Sequence, residues 1–233
     1  MESLNLTYNE KLIREKLFSF DSPKRISIKD DFFRSSAVLF TIIPHSEEPY
    51  KLVVIHRSNF GFRHRGEMSF PGGKFESAHD ISLEDTALRE TEEEIGVPRE
   101  NVKILGCLHD FPTMSQYVIT PFIGVINNDQ PMVKDDREVQ TIVKVPIDFF
   151  LSKEKFREQI HEISGKKFPV YYFDYEEKLS GKIYTIWGAT AYMISRYFEL
   201  VYGINISNTG LRRFNLYEIK NMKDLIFRRN KTR

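Results

Sequence analysis

Glu90, Glu93 and Glu94 stand at i, i+3 and i+4, so on a helix their three carboxylates share one face. Like charges at that spacing repel, destabilising a bare helix by about 0.2–0.5 kcal/mol per pair. A cation among the oxygens removes the conflict, and hard divalent ions such as magnesium or manganese take carboxylate ligands. A metal held this way can neutralise charge on phosphoryl oxygens and lower the pKa of a bound water. Glu90 and Glu94, one turn apart, are the candidate direct metal ligands, and Glu93, at the edge of the face, is a further metal ligand or orients the water. Glu84 and Glu92 read as solvated neighbours. Arg89, four residues before Glu93, can hold that carboxylate in position. Upstream, Gly72 and Gly73 of Pro71-Gly72-Gly73 allow main-chain groups to approach a metal or phosphates.

Local patterns predict the elements that must carry these residues. Ser82, with Asp85 three positions on, opens a helix that runs to Ile95 and stops at Gly96; Ala87, Leu88 and Ile95 give it an apolar face for a sheet. Strands are expected at 37–43, 52–55, 102–108, 117–126, 141–145, 170–175 and 182–185. Helices are expected at 8–18, 147–160 and 187–202. Trp187, Tyr192 and Tyr197 read as core packing rather than as rings that stack on adenine. The alternation of strands and helices argues for one α/β layered domain, with an N-terminal helical extension over 1–35, a main domain over 36–203 and a basic extension over 204–233.

The run from Gly73 through Arg89-Glu90, Glu93-Glu94 and Gly96-Val97 resembles the Nudix box, the signature of enzymes that hydrolyse nucleoside diphosphates linked to another moiety. Here the loop from Phe75 to Ile81 is longer than the usual box and must bulge, Glu76 and Asp80 are the acids nearest the box's early glutamate, and Thr91 fills a slot usually aliphatic. Arg57-Ser58, Gly66 and Phe70-Pro71-Gly72-Gly73 are similar to the extra motif of the coenzyme A diphosphatase branch, with Arg63 the closest match to that motif's arginine. Ser115–Pro121, Glu138-Val139 and Ile186–Ala191 look like that branch too. The resemblance implies a Nudix-type α/β/α sandwich with a mixed central sheet and a magnesium- or manganese-dependent pyrophosphohydrolase. It implies a coenzyme A-like small-molecule substrate, cleaved to 4′-phosphopantetheine and adenosine 3′,5′-bisphosphate. It also implies a carboxylate from a later loop that completes the site or acts as base, for which Glu138 is the candidate beside Glu93 and Arg89. Arg57 and Arg63, with His64 and Arg65, are placed to receive phosphates.

Rival readings differ in substrate or in class. A Nudix enzyme for ADP-ribose, dinucleoside polyphosphates or capped RNA would keep the same acids, whereas a non-catalytic nucleotide- or RNA-binding module would not need all three. Solvated charge is the bland alternative for the glutamate helix, and a salt-bridged surface loop is that for the arginines. A net charge of +1 gives no whole-chain case for a nucleic-acid or membrane partner. The single cysteine, Cys107, and an N-terminus without the basic-then-apolar pattern of a signal peptide lead to the expectation of a cytoplasmic protein. Oligomeric state is left open, a homodimer included.

Overall fold

A computed structural model describes residues 6–58, 66–163, 166–210 and 223. In chain order its elements are α1 (Glu10–Lys16), β1 (Arg34–Ile43), β2 (Lys51–Arg57), β3 (Met68–Ser69), β4 (Gly72–Lys74), α2 (Leu83–Ile95), β5 (Lys103–Cys107), β6 (Phe111–Pro112), β7 (Tyr117–Val125), β8 (Val139–Pro146), β9 (Phe156–Ile163), β10 (Lys166–Glu176), β11 (Ile183–Trp187) and α3 (Gly188–Tyr202). The first eight strands form one mixed sheet, ordered β3-β2-β1-β7-β5 along its main path, with β4 on β1, β6 on β7 and β8 on β2. β1 and β7 run parallel from Arg34↔Tyr117 to Ile42↔Val125, and the other pairings are antiparallel.

Eight consecutive buried residues in β1 explain why this strand lies at the centre. A strand turns alternate side chains to opposite faces, so a continuous buried run needs cover on both. Ala37 and Leu39 pack with Ala87 of α2, while Phe40 and Ile42 pack with Ile194, Tyr197 and Phe198 of α3. The result is an α/β layered fold with a mixed central sheet between helices.

β1 and β2 pair only at Thr41–Ile43 with Lys51–Val53 and then diverge. The 68–74 segment fills the opening: Met68-Ser69 pairs with β2 and Gly72–Lys74 with β1. This wedge carries the two glycines to the mouth of the split, against α2.

The helix expected over 147–160 does not form. After Pro146 the chain makes a short 3-10 turn over Ile147–Leu151, and Phe156–Ile163 becomes β9. β9 pairs along its whole length with β10, from Phe156↔Phe173 to Ile163↔Lys166. Ladder bonds to a strand later in the chain decide the outcome, and local periodicity does not contain them. β11 lies on the other side of β10, giving a three-stranded antiparallel sheet that feeds directly into α3.

The N-terminal segment is tied to the sheet by buried charge. The Arg25 and Asp110 side chains are 1% and 4% exposed and pair directly. Arg25 Nε also donates to the Leu108 carbonyl at 3.1 Å, and Asp110 accepts from Thr120 Oγ1 at 2.7 Å and the Ile28 N–H at 2.8 Å. Burial raises the Asp110 pKa, and the bonds from Thr120, Ile28 and Arg25 oppose that rise. Removing one partner strands the other charge without water. Asp110→Ala is therefore expected to cost about 3–5 kcal/mol in urea unfolding, while an apolar replacement of both residues should cost much less.

Candidate active site

α2 begins and ends where its sequence dictates. Ser82 accepts from the Asp85 N–H at 3.1 Å, and the helix closes on a left-handed Gly96 whose N–H returns to the Glu92 carbonyl. Thr91, wholly buried on the sheet side, satisfies its hydroxyl on the Ala87 carbonyl at 2.7 Å. Fixing this face inward turns Glu90 and Glu94 toward the wedge between β1 and β2.

Glu94 is 1% exposed, which is exceptional for a carboxylate. One oxygen accepts from Arg57 Nη1 at 2.9 Å and the other from the Gly72 N–H at 2.9 Å. Burial raises its pKa to about 8, against the opposing pull of Arg57 and Gly72, and with further upward pressure from Glu90 and Glu138. Glu90 is also raised, first by burial, with Glu93 and Glu138 adding to the rise and Arg89 opposing it. Glu93 lies outermost, with 58% of its side chain exposed, and pairs with Arg89 Nη1 at 2.9 Å.

The glycines are required by close approach. A Cβ on Gly73 would overlap the Glu90 carboxylate, and one on Gly72 would overlap the Ala37 carbonyl, at a φ of +153°. Side-chain-free backbone there lets the acid helix dock directly on β4.

Arg89 is the hub of the outer half of the site. It forks onto Asp80 through Nε at 2.7 Å and Nη2 at 3.1 Å, and reaches Glu90 and Glu93 at 2.9 Å each. Asp80, its side chain wholly buried, also accepts from the Glu76 N–H at 2.8 Å and Thr86 Oγ1 at 2.9 Å. Burial alone would raise the Asp80 pKa, but these bonds, Arg89 foremost, lower it to about 2. The long box loop does bulge, with Ile81 94% exposed, and Asp80 is the knot that organises it. The sequence offered Asp80 only as an acid near the box; its tie to Arg89, nine residues away, is made by the loop's fold.

Glu138 arrives from the other side. β2 pairs with β8 at Arg57↔Val139, after a bulge at His56/Arg57, and the Ser58 N–H donates to the Glu138 carbonyl at 2.8 Å. The preceding loop is tethered to α2 through Val133 N–H to Ile95 O at 2.9 Å and Asp135 N–H to Glu94 O at 3.2 Å. Glu138 is thus exposed yet acts electrostatically on both Glu90 and Glu94. Of the residues expected to meet phosphate, Arg57 is spent on Glu94, and Arg63 lies outside the described residues.

Among the described residues, no three acidic, histidine or cysteine side chains converge as a ready-made metal ligand set. The donor chemistry nonetheless fits a hard divalent cation. Glu90 lies against Gly73 and Glu94 against the Gly72 N–H, nearby acids, Glu138 among them, raise the proton affinity of both, and Arg57 and Arg89 supply part of the missing positive charge.

A family model described as the NUDIX domain matches residues 34–165. Nudix hydrolase 22, chloroplastic, of Arabidopsis thaliana is 30% identical over 202 residues, covering 81% of this chain and 66% of the relative. Nudix hydrolase 15, mitochondrial, of the same plant is 31% identical over 171 residues, covering 72% and 59%. This chain therefore spans less than two thirds of the length of these plant relatives. A Yersinia pestis protein named Uncharacterized Nudix hydrolase NudL is 34% identical over 161 residues, covering 69% of this chain and 76% of the relative. A solved MutT/nudix family protein from Enterococcus faecalis is 14% identical, with a TM-score of 0.43 over 87% of this chain and 83% of that one.

Two measurements test the site. Asp80→Asn removes the bidentate anchor of Arg89 and should destabilise the chain by about 3 kcal/mol in denaturant melts. Because the folded pKa of Asp80 is depressed, its stabilisation is complete above the unfolded value near 4 and fades as pH falls toward 2, so the two proteins should converge in stability at acid pH. Gly73→Ala should abolish activity while secondary structure by circular dichroism persists; undiminished turnover would show that Glu90 does not need its place on β4.

Proposed function

We propose, from the premise that this chain belongs to the Nudix hydrolase family, that it hydrolyses the pyrophosphate link of coenzyme A or its derivatives, releasing 4′-phosphopantetheine and adenosine 3′,5′-bisphosphate. The observation that carries the hydrolytic reading is the buried Glu94 beside Glu90 and Glu138, three carboxylates whose mutual repulsion calls for a cation. The narrower substrate rests on the Arg57-Ser58, Gly66 and Phe70–Gly73 pattern that resembles the coenzyme A diphosphatase branch.

Nudix hydrolases work with divalent metal ions. In this chain Glu90 and Glu94 would hold the ion, magnesium or manganese, with Glu138 or Glu93 beside them. When bound, it supplies charge neutralisation at phosphoryl oxygens and a water acidic enough to attack near neutral pH. The chain's own groups set the stage. Arg57 and the Gly72 N–H orient Glu94, so its carboxylate enters the reaction without searching rotamers. Arg89 does the same for Glu90 and Glu93, and is itself fixed by Asp80. Glu138, exposed and on the opposite wall, is the group free to take a proton from the attacking water.

Two assays follow. Glu94→Gln should lower kcat by at least about a hundredfold, and added magnesium or manganese should raise the melting temperature of the parent protein but hardly that of the variant. In a panel of coenzyme A, acyl-coenzyme A, ADP-ribose and dinucleoside polyphosphates, assayed with each metal, coenzyme A compounds should give the highest kcat/KM. Robust ADP-ribose turnover with no cleavage of coenzyme A would overturn the substrate assignment and leave the hydrolase reading intact.

A further inference from the structure

The three-stranded sheet turns an unusual row of side chains outward. Register places Arg157 of β9 opposite Tyr172 of β10, and Tyr172 opposite Trp187 of β11. Cross-strand neighbours of this kind touch. The Tyr172 and Trp187 rings lie nearly parallel, 4° apart in plane with centroids 5.9 Å apart, and the Arg157 guanidinium sits 4.9 Å from the Tyr172 centroid. Trp187 was expected in the core from the sequence, yet it is 40% exposed, whereas Tyr197 is buried. Alternation along β11 is the reason: Tyr184 and Ile186 point inward, so Trp187 must point out.

This row borders a cleft of about 350 Å³ where edge strand β11 meets β3. Lys182, which lies 4.8 Å from the Tyr184 centroid, and His56 line it as well. Asp174 holds Arg157 at 2.7 and 3.1 Å, while Lys182 is matched with no carboxylate among the described residues, so the cleft keeps a positive surplus. His56 packs edge-on against Tyr184 at the cleft wall, its Nδ1 enclosed and without a hydrogen-bond partner among the described residues. An exposed indole and an ammonium with no carboxylate partner among the described residues together match a phosphorylated nucleobase.

The cleft adjoins the acids. His56 and Arg57 are consecutive in β2, so one side chain leaves toward Tyr184 and the other toward Glu94. Met68 lines the cleft, and Gly72, four residues later, donates to Glu94. Four residues of chain span at most about 14 Å. We propose that this cleft is the nucleotide subsite of the enzyme: the outer face of Trp187 takes a purine base, and Lys182, which lines the same cleft, takes a phosphate on its ribose. The assignment rests on reading the chain as a hydrolase of pyrophosphate-linked nucleotides, and it places the nucleoside half of the substrate on β11.

Trp187 is the only tryptophan in the chain, so its fluorescence reports on the cleft directly. Titrating the full chain, with magnesium, with adenosine 3′,5′-bisphosphate should quench that emission saturably, while 4′-phosphopantetheine and inorganic phosphate should not. Lys182→Ala should weaken the bisphosphate titration about fivefold, with the difference shrinking at high salt. Trp187→Ala should lose about tenfold in bisphosphate affinity by calorimetry, the order expected for one base–aromatic stack. Its KM for coenzyme A should rise by a similar factor, with kcat changing far less, and Trp187→Phe should recover most of the loss. Cleavage of coenzyme A with no saturable quench, and an unchanged KM in Trp187→Ala, would overturn the subsite while leaving the hydrolase reading standing. Saturable quenching with no pyrophosphate cleavage of any substrate would do the reverse.

Discussion

A carboxylate almost wholly removed from water is the constraint around which this molecule is arranged. Glu94 sits between a helix and a sheet, where ionisation is disfavoured unless positive charge or donors meet both oxygens. Arg57 and the Gly72 N–H do so, and each comes from a different strand. Their convergence requires β1 and β2 to part after a short antiparallel contact and admit the 68–74 segment between them. The split sheet and the buried acid explain each other.

The same logic extends outward in layers of decreasing burial. Glu94 is enclosed, Glu90 is partly so, Glu93 is mostly solvated and Glu138 is on the opposite rim. Burial, foremost, and the facing acids raise the proton affinity of Glu94 and of Glu90. A helix that would be strained by its own charges in water keeps those charges in fixed positions when one side of it is pressed against glycine. Arg89, locked by Asp80, keeps the outer members from drifting apart.

What could be read from the chain is what depends on neighbours in sequence. Ser82 as cap, Gly96 as stop and the inward Ala87 and Ile95 are local features, and α2 formed as expected. The features that escaped are set by distant partners. Phe156–Ile163 carries apolar residues at positions compatible with a helix, and only its ladder to β10 makes it a strand. Trp187 looks like a core residue until strand parity fixes its direction. Asp80 was visible as an acid but not as the anchor of Arg89, because a bulged loop brings them together. The acids of the site are written plainly; the residues that hold them are not.

The parallel pairing of β1 with β7 bears on how the protein comes into being. It joins residues such as Arg34 and Tyr117, more than eighty positions apart, and needs the whole acid-bearing segment to be threaded between them. Contacts of such long sequence separation form late and slowly, because loop closure must precede any gain from them. Until β7 docks, one flank of β1 lacks its ladder partner, and the surface on which α2 packs is incomplete. A chain halted before residue 117 would hold the box, the glycine wedge and Arg57, but would lack both β7, which flanks β1, and Glu138, just before the strand beside β2. The acids and their immediate supports thus lie on one stretch of chain, and the sheet that buries them is closed by strands that follow it.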